Sequence, residues 1–524
     1  MAALISVLVA GHLWWIHRNR TTLAVDLDEG QLLVRSDTLR AATGGGPSAL
    51  WHAWTARQPS APALGVATAV STSVFGRSPR AFLLPELVAL VVLLLAVWWI
   101  ARQLGAGRWA LLAVAVVGVS PGVVQFTRVH HQIVPGAAAL ALCVAVGLRT
   151  DALRDRRWSL VLGVAVGIAL LTRAMLVVSA PLAIAAWAVA LLGSRPIVRQ
   201  QLINALIAAG LAMALALTWW AFVAGEVIRY LFEGARGNGS ARSSRLSLTE
   251  VRLSGRVLAG VEDHSVAWAC VAVLAVGMAL CLVRALARRG PHLDLRELYV
   301  LVVAAVTFVG LVASQDDFPG YSLLVVPIVV SWAVARAARE SRAFRWIILG
   351  PVVGLTAVGL VTFPTVASSG VHISGAWILS ERPNDTVGRS WADTYQWVID
   401  TSAGLGDPGC PTSLVVVQVD HRVTVGQLQW AADVVAPQRG VRAVSTATKA
   451  TPASVRVGIA EANDNRSLLV LVDPTEEDEF APLPAAALAR EARRQGYRPA
   501  AKRTMPNGAV VSLWAPAGEP RRCS

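Results

Sequence analysis

A chain of 524 residues that is 55% hydrophobic and only 15% charged, with a mean hydropathy of +0.55, is too apolar for a set of soluble domains. Its net charge of +14 does not mark a nucleic-acid binder, because the arginines sit mostly in short connections between apolar runs and form no basic stripe. Five cysteines with no Cys-x-x-Cys pair and no His/Cys cluster exclude a zinc module of ordinary spacing.

Apolar runs predict membrane helices at about Ala2–Ile16, Phe82–Ala101, Trp109–Val119, Ile133–Leu148, Leu160–Leu171, Met175–Leu192, Leu202–Ala224, Val266–Val283, Leu298–Ala313, Ser322–Ala335 and Trp346–Phe363. The first is short for a span, but no small-residue cleavage site follows it, so it reads as a retained helix. Ser120-Pro121-Gly122 and Thr172-Arg173 mark tight hairpins. Cys143, Cys270 and Cys281 fall in apolar runs and read as packing residues; Cys410 and Cys523 lie in the polar C-terminal part, where an oxidising compartment would allow them to pair.

The connections alternate in charge. Arg102/Arg108, Arg149/Arg154/Arg156/Arg157, Arg195/Arg199, Arg284/Arg288/Arg289/Arg296 and Arg336/Arg339/Arg342/Arg345 share one side, which the positive-inside rule makes cytoplasmic. The first outer loop (17–81), the outer loop 225–264 and everything after Phe363 are then expected outside. His17-Arg18-Asn19-Arg20 runs against this scheme. A span at Pro62–Gly76 would restore it by placing the first loop in the cytosol, but that weakly apolar segment reads better as an interfacial helix.

After Phe363, short apolar runs alternate with polar segments. Ser413–Asp420 and Ser467–Asp473 read as buried strands and Leu483–Gln495 as a helix. Tyr497–Lys502 and Ala509–Ala515 read as a hairpin around Met505-Pro506-Asn507-Gly508. The expected organisation is an all-α polytopic membrane domain of about eleven helices over 1–364 and a small extracytoplasmic α/β domain over 365–524.

Five groups on the expected outer face have residue types that carry chemistry. Asp26-Leu27-Asp28-Glu29-Gly30 places three carboxylates just beyond a membrane helix, where a positioned and partly desolvated acid acts as a general base. Arg57, entering a Pro-rich turn with Pro59 and Pro62, suits an anion. Arg128-Val129-His130-His131 joins a phosphate-matching guanidinium to two proton carriers. Arg173 lies between two apolar runs and needs an anion, a carbonyl or water. Asp316, Asp317 and Tyr321 lie in an outer connection without a basic residue. Each also has a plainer reading as a solvated loop, a helix end or a structural ion pair.

These groups resemble the integral-membrane glycosyltransferases of the GT-C type, nearest the branch of protein O-mannosyltransferases and lipid A aminoarabinose transferases (glycosyltransferase family 39-like). The resemblance rests on Asp28-Glu29 after the first helix, the turn Arg57-Gln58-Pro59-Ser60-Ala61-Pro62-Ala63-Leu64, the hairpin opened by Ser120-Pro121, Leu171-Thr172-Arg173, and the segment from Phe318-Pro319-Gly320-Tyr321 to Pro327. The chain departs from the family pattern after Asp-Glu, where Gln31-Leu32-Leu33 replaces an aromatic residue, in the altered Pro turn, and in the additional acid Asp26.

The resemblance implies sugar transfer from a polyprenyl-phosphate-linked donor to a protein, lipid or glycan acceptor on the outer face of the cell membrane. It makes Asp28 the catalytic acid, with Glu29 beside it. It makes Arg57, Arg128 and Arg173 partners of the lipid phosphate; His130, His131, Asp316, Asp317 and Tyr321 are expected in the substrate site from their residue types and their place on the same face. No cofactor is implied, and a phosphate leaving group does not require a metal. Membrane lipids are the surrounding partners and nucleic acid is not one. The alternative is a transporter or a flippase for a lipid-linked glycan, which would need polar residues near mid-membrane; the runs here are almost uncharged at their centres, with Glu86 near an end. The arginine bias, with Lys449 and Lys502 the only lysines, points to a high-GC bacterial genome.

Overall fold

A computed structural model describes residues 1–20, 27–56, 60–192, 199–235, 266–287, 294–313, 323–364, 372–373, 376–377, 385–406, 412–417, 424–435, 437, 440–445, 452–473, 484–505 and 508–517. The chain forms two compact units. One comprises Met1–Ile16, Ala41–Thr68 and Leu83–Pro383; the other comprises His17–Arg40, Ala69–Phe82 and Asn384–Ser524. The second unit therefore recruits two pieces of the first sequence loop in addition to the C-terminal part.

The helices of the N-terminal region are α1 (Ala2–Asn19), α2 (Leu27–Gly44), α3 (Gly46–Trp54), α4 (Pro62–Phe75) and α5 (Pro79–Gln103). They are followed by α6 (Ala110–Gly118), α7 (Pro121–Thr127), α8 (Ile133–Arg149), α9 (Arg156–Thr172), α10 (Leu176–Ser179), α11 (Leu182–Leu192) and α12 (Arg199–Ala235). Then come α13 (Val266–Ala287), α14 (Leu295–Ala313), α15 (Val326–Ala338) and α16 (Arg342–Thr362). All eleven apolar runs contribute helix. Among the described residues three helices are long and apolar enough to cross a bilayer by length and composition: Pro79–Gln103, Arg199–Ile228 and Arg342–Val361. Pro62–Phe75 and five others are shorter apolar helices.

Two expectations change. From Leu27 on, the acidic stretch is helix and not loop: α2 begins there, and Asp28, Glu29 and Gly30 lie in its first turn, where carboxylates are favoured by the helix dipole. The run Met175–Leu192 is broken into α10 and α11, because Pro181 lacks the N–H that would continue the ladder.

The helical unit packs through small residues. A Cβ at Gly163 of α9 would lie 2.6 Å from the Ala208 carbonyl oxygen of α12, and one at Gly167 would lie 2.8 Å from the Leu215 Cβ. The two helices thus approach backbone to backbone, the arrangement that drives association where water supplies no hydrophobic force.

The connection between α8 and α9 has three consecutive left-handed residues, Asp151, Ala152 and Leu153, with φ of 50°, 57° and 65°. Such residues cost about 1–2 kcal/mol each and persist only where their surroundings hold them. Here Gln201 and Asn204 of α12 donate to the carbonyl oxygens of Ala152 and Leu153, and Thr150 Oγ1 accepts the Leu153 N–H. Ala152→Gly is accordingly expected to be neutral or stabilising, by up to about 1 kcal/mol, where glycine within a helix would cost about as much. Thermal unfolding in detergent reads the difference, and a clear loss of stability would contradict the strained turn.

In the second unit, β3 (Ser413–Val416), β4 (Arg442–Ser445), β5 (Leu468–Asp473), β6 (Tyr497–Thr504) and β7 (Val510–Pro516) form a sheet of order β4-β3-β5-β7-β6. β3 is parallel to β4 and β5, and the predicted hairpin β6–β7 adds antiparallel to β5. Leu414, Val416, Leu468, Val470 and Val472 face α17 (Asp385–Leu405) and α18 (Val425–Val435). Val415, Val417, Leu469 and Leu471 face α19 (Pro452–Asp464) and α20 (Ala485–Arg494). Burial on both faces is why β3 and β5 read as unbroken apolar runs and not as alternating ones. A short antiparallel pair, β1 (His372–Ile373) with β2 (Ala376–Trp377), precedes this domain.

Candidate functional site

In the helical unit, three separate sequence motifs converge. The Gln132 side-chain amide donates to the Ala61 carbonyl oxygen at 2.8 Å, and Ala61 packs with Leu171, Ala174, Trp219 and Val223. The end of the Pro-rich turn thus meets both the Arg128–Gln132 connection and the Leu171-Thr172-Arg173 turn. Arg173 is buried, and its Cδ crosses Gly136 in the first turn of α8, where a Cβ would sit 3.1 Å away.

Beside this junction lies a buried polar cluster. Glu86, in the second turn of α5 and fully buried, accepts the His131 backbone N–H at 3.0 Å and has its Oε1 3.5 Å from His130 Nδ1. On the other side of the ring, His130 Nε2 lies 3.4 Å from Thr68 Oγ1. The His131 ring packs against Phe126. Arg128, 1% exposed, donates to the Phe363 carbonyl oxygen at 2.6 Å and lies 4.4 Å above the Trp15 indole. His12 is buried next to it, its ring 5.5 Å from that of Phe363. Arg128 therefore ties α1 and the end of α16 to the α7–α8 connection. Among the described residues, no group of three or more His, Cys, Asp and Glu side chains forms a metal cage.

In the second unit, Glu29 is fully buried and pairs with Arg20 at 2.5 Å, whose guanidinium lies over the Phe82 ring. The first turn of α2 meets α18 with no side chains between. A Cβ on Gly30 would lie 2.6 Å from Gln427 N, and one on Gly426 would lie 2.7 Å from Gln31 N. The start of α18 is fixed by a reciprocal cap: Gln427 Oε1 accepts the Thr424 N–H and Thr424 Oγ1 accepts the Gln427 N–H. Arg77 forks onto both oxygens of Asp37 and donates to the Asp433 carbonyl at 2.8 Å. Burial pushes the Asp433 carboxyl above the usual carboxylate range, against the hydrogen bond from Gln429 that favours its charged form. Burial likewise brings the Arg35 guanidinium down to about 10, which leaves it charged at neutral pH.

Of the residues picked from the sequence, Arg128, His130, His131 and Arg173 are gathered at one end of the helical unit, while Glu29 is placed in the second unit. Asp28 is located on α2, with its side chain outside the described set; Arg57, Asp316, Asp317, Tyr321, Asp26, Cys410 and Cys523 lie outside the described residues. Sequence reasoning missed Glu86, Thr68, Trp15 and Arg20. A lone carboxylate at the start of a 25-residue apolar helix was the available signal for Glu86.

The sequence model of the dolichyl-phosphate-mannose-protein mannosyltransferase family matches residues 58–220. No curated protein matches the chain. Among solved structures, ArnT from Cupriavidus metallidurans bound to undecaprenyl phosphate is similar with a TM-score of 0.58 at 15% identity, over 98% of this chain and 97% of that one. The Archaeoglobus fulgidus oligosaccharyltransferase tethered to an acceptor peptide is similar with a TM-score of 0.55 at 12% identity, over 97% of this chain and 74% of that one. The arabinofuranosyltransferase AftD from Mycobacteria follows with a TM-score of 0.51 at 15% identity; this chain is covered to 99% but spans only 42% of that protein. The chain has the fold of the GT-C integral-membrane glycosyltransferases.

Proposed function

We propose that the protein is a membrane glycosyltransferase that moves a sugar from a polyprenyl-phosphate donor to an acceptor at the outer face of a bacterial cell membrane, with the C-terminal domain outside. The observation that carries the reading is the convergence of the Pro-rich turn, the Arg128–Gln132 connection and Arg173 at one end of the helical unit, in a fold shared with a protein crystallised with undecaprenyl phosphate. The cluster occupies helix ends, namely the second turn of α5 and the start of α8. That position favours a membrane-surface site over the mid-membrane path a transporter or flippase would need.

In the proposed reaction the acceptor hydroxyl or amine attacks the anomeric carbon, the bond from that carbon to the phosphate oxygen breaks, and the configuration inverts. Asp28 takes the acceptor proton. Arg173 and Arg57 meet the charge that develops on the departing phosphate, where fixed cations stabilise most. Arg128, held between Trp15 and the Phe363 carbonyl, and His130, held against Glu86, shape that end of the unit. Glu29 holds the first turn of α2 through Arg20, a positioning role distinct from that of Asp28.

The test is transfer by purified protein offered a panel of polyprenyl-phosphate-linked hexoses and pentoses. Asp28→Asn is expected to lower transfer by about 10²- to 10⁴-fold while the protein stays in the membrane at its normal level. Undiminished transfer would remove Asp28 from the chemistry. Failure of the unaltered protein to bind polyprenyl phosphate would remove the donor.

A further inference from the structure

We propose that the opposite end of the helical unit holds the phosphate headgroup of an anionic membrane lipid, through Arg102, Arg149 and Arg296. Two helices run from the Glu86 cluster to this place. Arg102 lies 16 residues after Glu86 on α5, about 24 Å along a helix that rises 1.5 Å per residue. Arg149 ends α8, which begins next to His131, and Arg296 lies at the start of α14. The three arginines line one cleft of about 540 Å³, together with Trp98, Trp99 and Gln103. This site does not depend on the transfer reaction proposed above.

The cleft is uncompensated in charge. Among the described residues none of the three guanidinium groups pairs with a carboxylate, whereas Arg336 and Arg339 are paired with Glu297 and Asp294. Asp151 is the only acidic residue in the lining. Three cations sharing one cleft repel each other unless an anion lies between them.

The cleft is also built in advance. Arg102 stacks over Trp98 at 5.2 Å and Arg149 over Trp158 at 5.4 Å, and Trp158 meets Trp99 edge-on at 5.5 Å. Stacking on the indole faces orients the guanidinium planes and leaves their N–H edges available to phosphate oxygens. Gln103 donates to the Ala145 carbonyl at 2.9 Å and fixes α5 to α8. Asp151, the first residue of the strained turn held by Gln201 and Asn204, also lines the cleft.

The surroundings favour a lipid over a soluble phosphate. Trp98 and Trp99 are half-buried at the end of a long apolar helix, the position of the indole belt at a membrane interface. The same helix exposes Leu95 one turn before Trp99, which offers apolar surface to an acyl chain. A basic cleft between helices at the arginine-rich side has the chemistry that holds anionic headgroups.

The experiment is native mass spectrometry of the full chain in detergent, titrated with dioleoylphosphatidylglycerol or dioleoylphosphatidylcholine. The unaltered protein is expected to retain the anionic lipid in preference to the zwitterionic one. The triple variant R102Q/R149Q/R296Q is expected to weaken phosphatidylglycerol binding about tenfold or more, and each single variant about threefold. A control, R108Q/R154Q/R157Q, removes the same charge from exposed positions at that side that do not line the cleft, and is expected to bind as the unaltered protein does. The single variants serve if the triple variant does not fold. Equal binding by the cleft variants, an equal loss in the control, or displacement of the lipid by millimolar glycerol 3-phosphate would each overturn the proposal.

Discussion

Glu86→Ala is expected to destabilise the helical unit by about 3 kcal/mol, with Glu86→Gln recovering most of the loss. Glu86 is fully buried; one of its oxygens accepts the His131 N–H and lies near the His130 ring. Alanine leaves that backbone N–H without its acceptor in an apolar surround, which alone costs about 1–3 kcal/mol. It also removes the oxygen that lies 3.5 Å from the His130 ring, whose other nitrogen lies near Thr68, itself on α4. Glutamine keeps an acceptor oxygen at nearly the same place. Thermal unfolding of the purified protein in detergent separates the two variants. An alanine variant that melts with the unaltered protein would show that the α4, α5 and α8 ends do not depend on this carboxylate.

The second large effect is expected at the crossing of α2 and α18. Gly426→Val should cost about 3 kcal/mol and loosen the first turn of α2, because the added carbons meet the Gln31 amide and the Gly30 carbonyl carbon, which are backbone and cannot swing aside. Gly30→Val meets the same obstacle from the other side, at the Gln427 amide. Gly404 on α17 has nothing within 4 Å of an added Cβ, so Gly404→Ala serves as a control expected to be harmless. Hydrogen exchange over residues 27–40 is the direct reading. Faster exchange in Gly426→Val but not in Gly404→Ala supports the backbone crossing, while unchanged exchange would show that α2 is held by Arg77 and Asp37 without it.

That crossing seats the helix bearing Asp28 on the C-terminal part of the chain. The helix bearing Asp28 is seated on α18 at Gly426, and Arg77 draws Asp37 and the Asp433 carbonyl together further along. Trp430, buried on α18, packs edge-on against Phe82, over which Arg20 also lies. The proposed base thus belongs to a helix positioned by residues some 400 places away in the chain, a consequence of the fold's interleaved units.

Much of the architecture was legible without coordinates. Eleven apolar runs predicted helix, and each is helical in whole or in part, because continuous hydrophobicity over a dozen or more residues leaves the backbone few other ways to satisfy its hydrogen bonds in an apolar medium. β3 and β5 stood out as unbroken apolar runs, and the residue types between Met505 and Gly508 predicted the hairpin that β6 and β7 form, because strand burial and turn chemistry are local properties. The capping pair Thr424 and Gln427 was written in the sequence as well, and passed unread. The class of chemistry was suggested by Asp28-Glu29, Arg128 and Arg173, short motifs whose residue types suit a base and an anion.

Tertiary structure alone decided who meets whom. Nothing local tells Glu86 that its partners are His130 and His131, that Gln132 reaches Ala61, or that Glu29 is neutralised by Arg20. Gly30 and Gly426 look like any two glycines until the helices carrying them cross. Helix formation is settled by neighbours three or four residues apart, whereas a buried charge is settled by whichever group the packed fold brings within 4 Å, and that is a property of the whole chain.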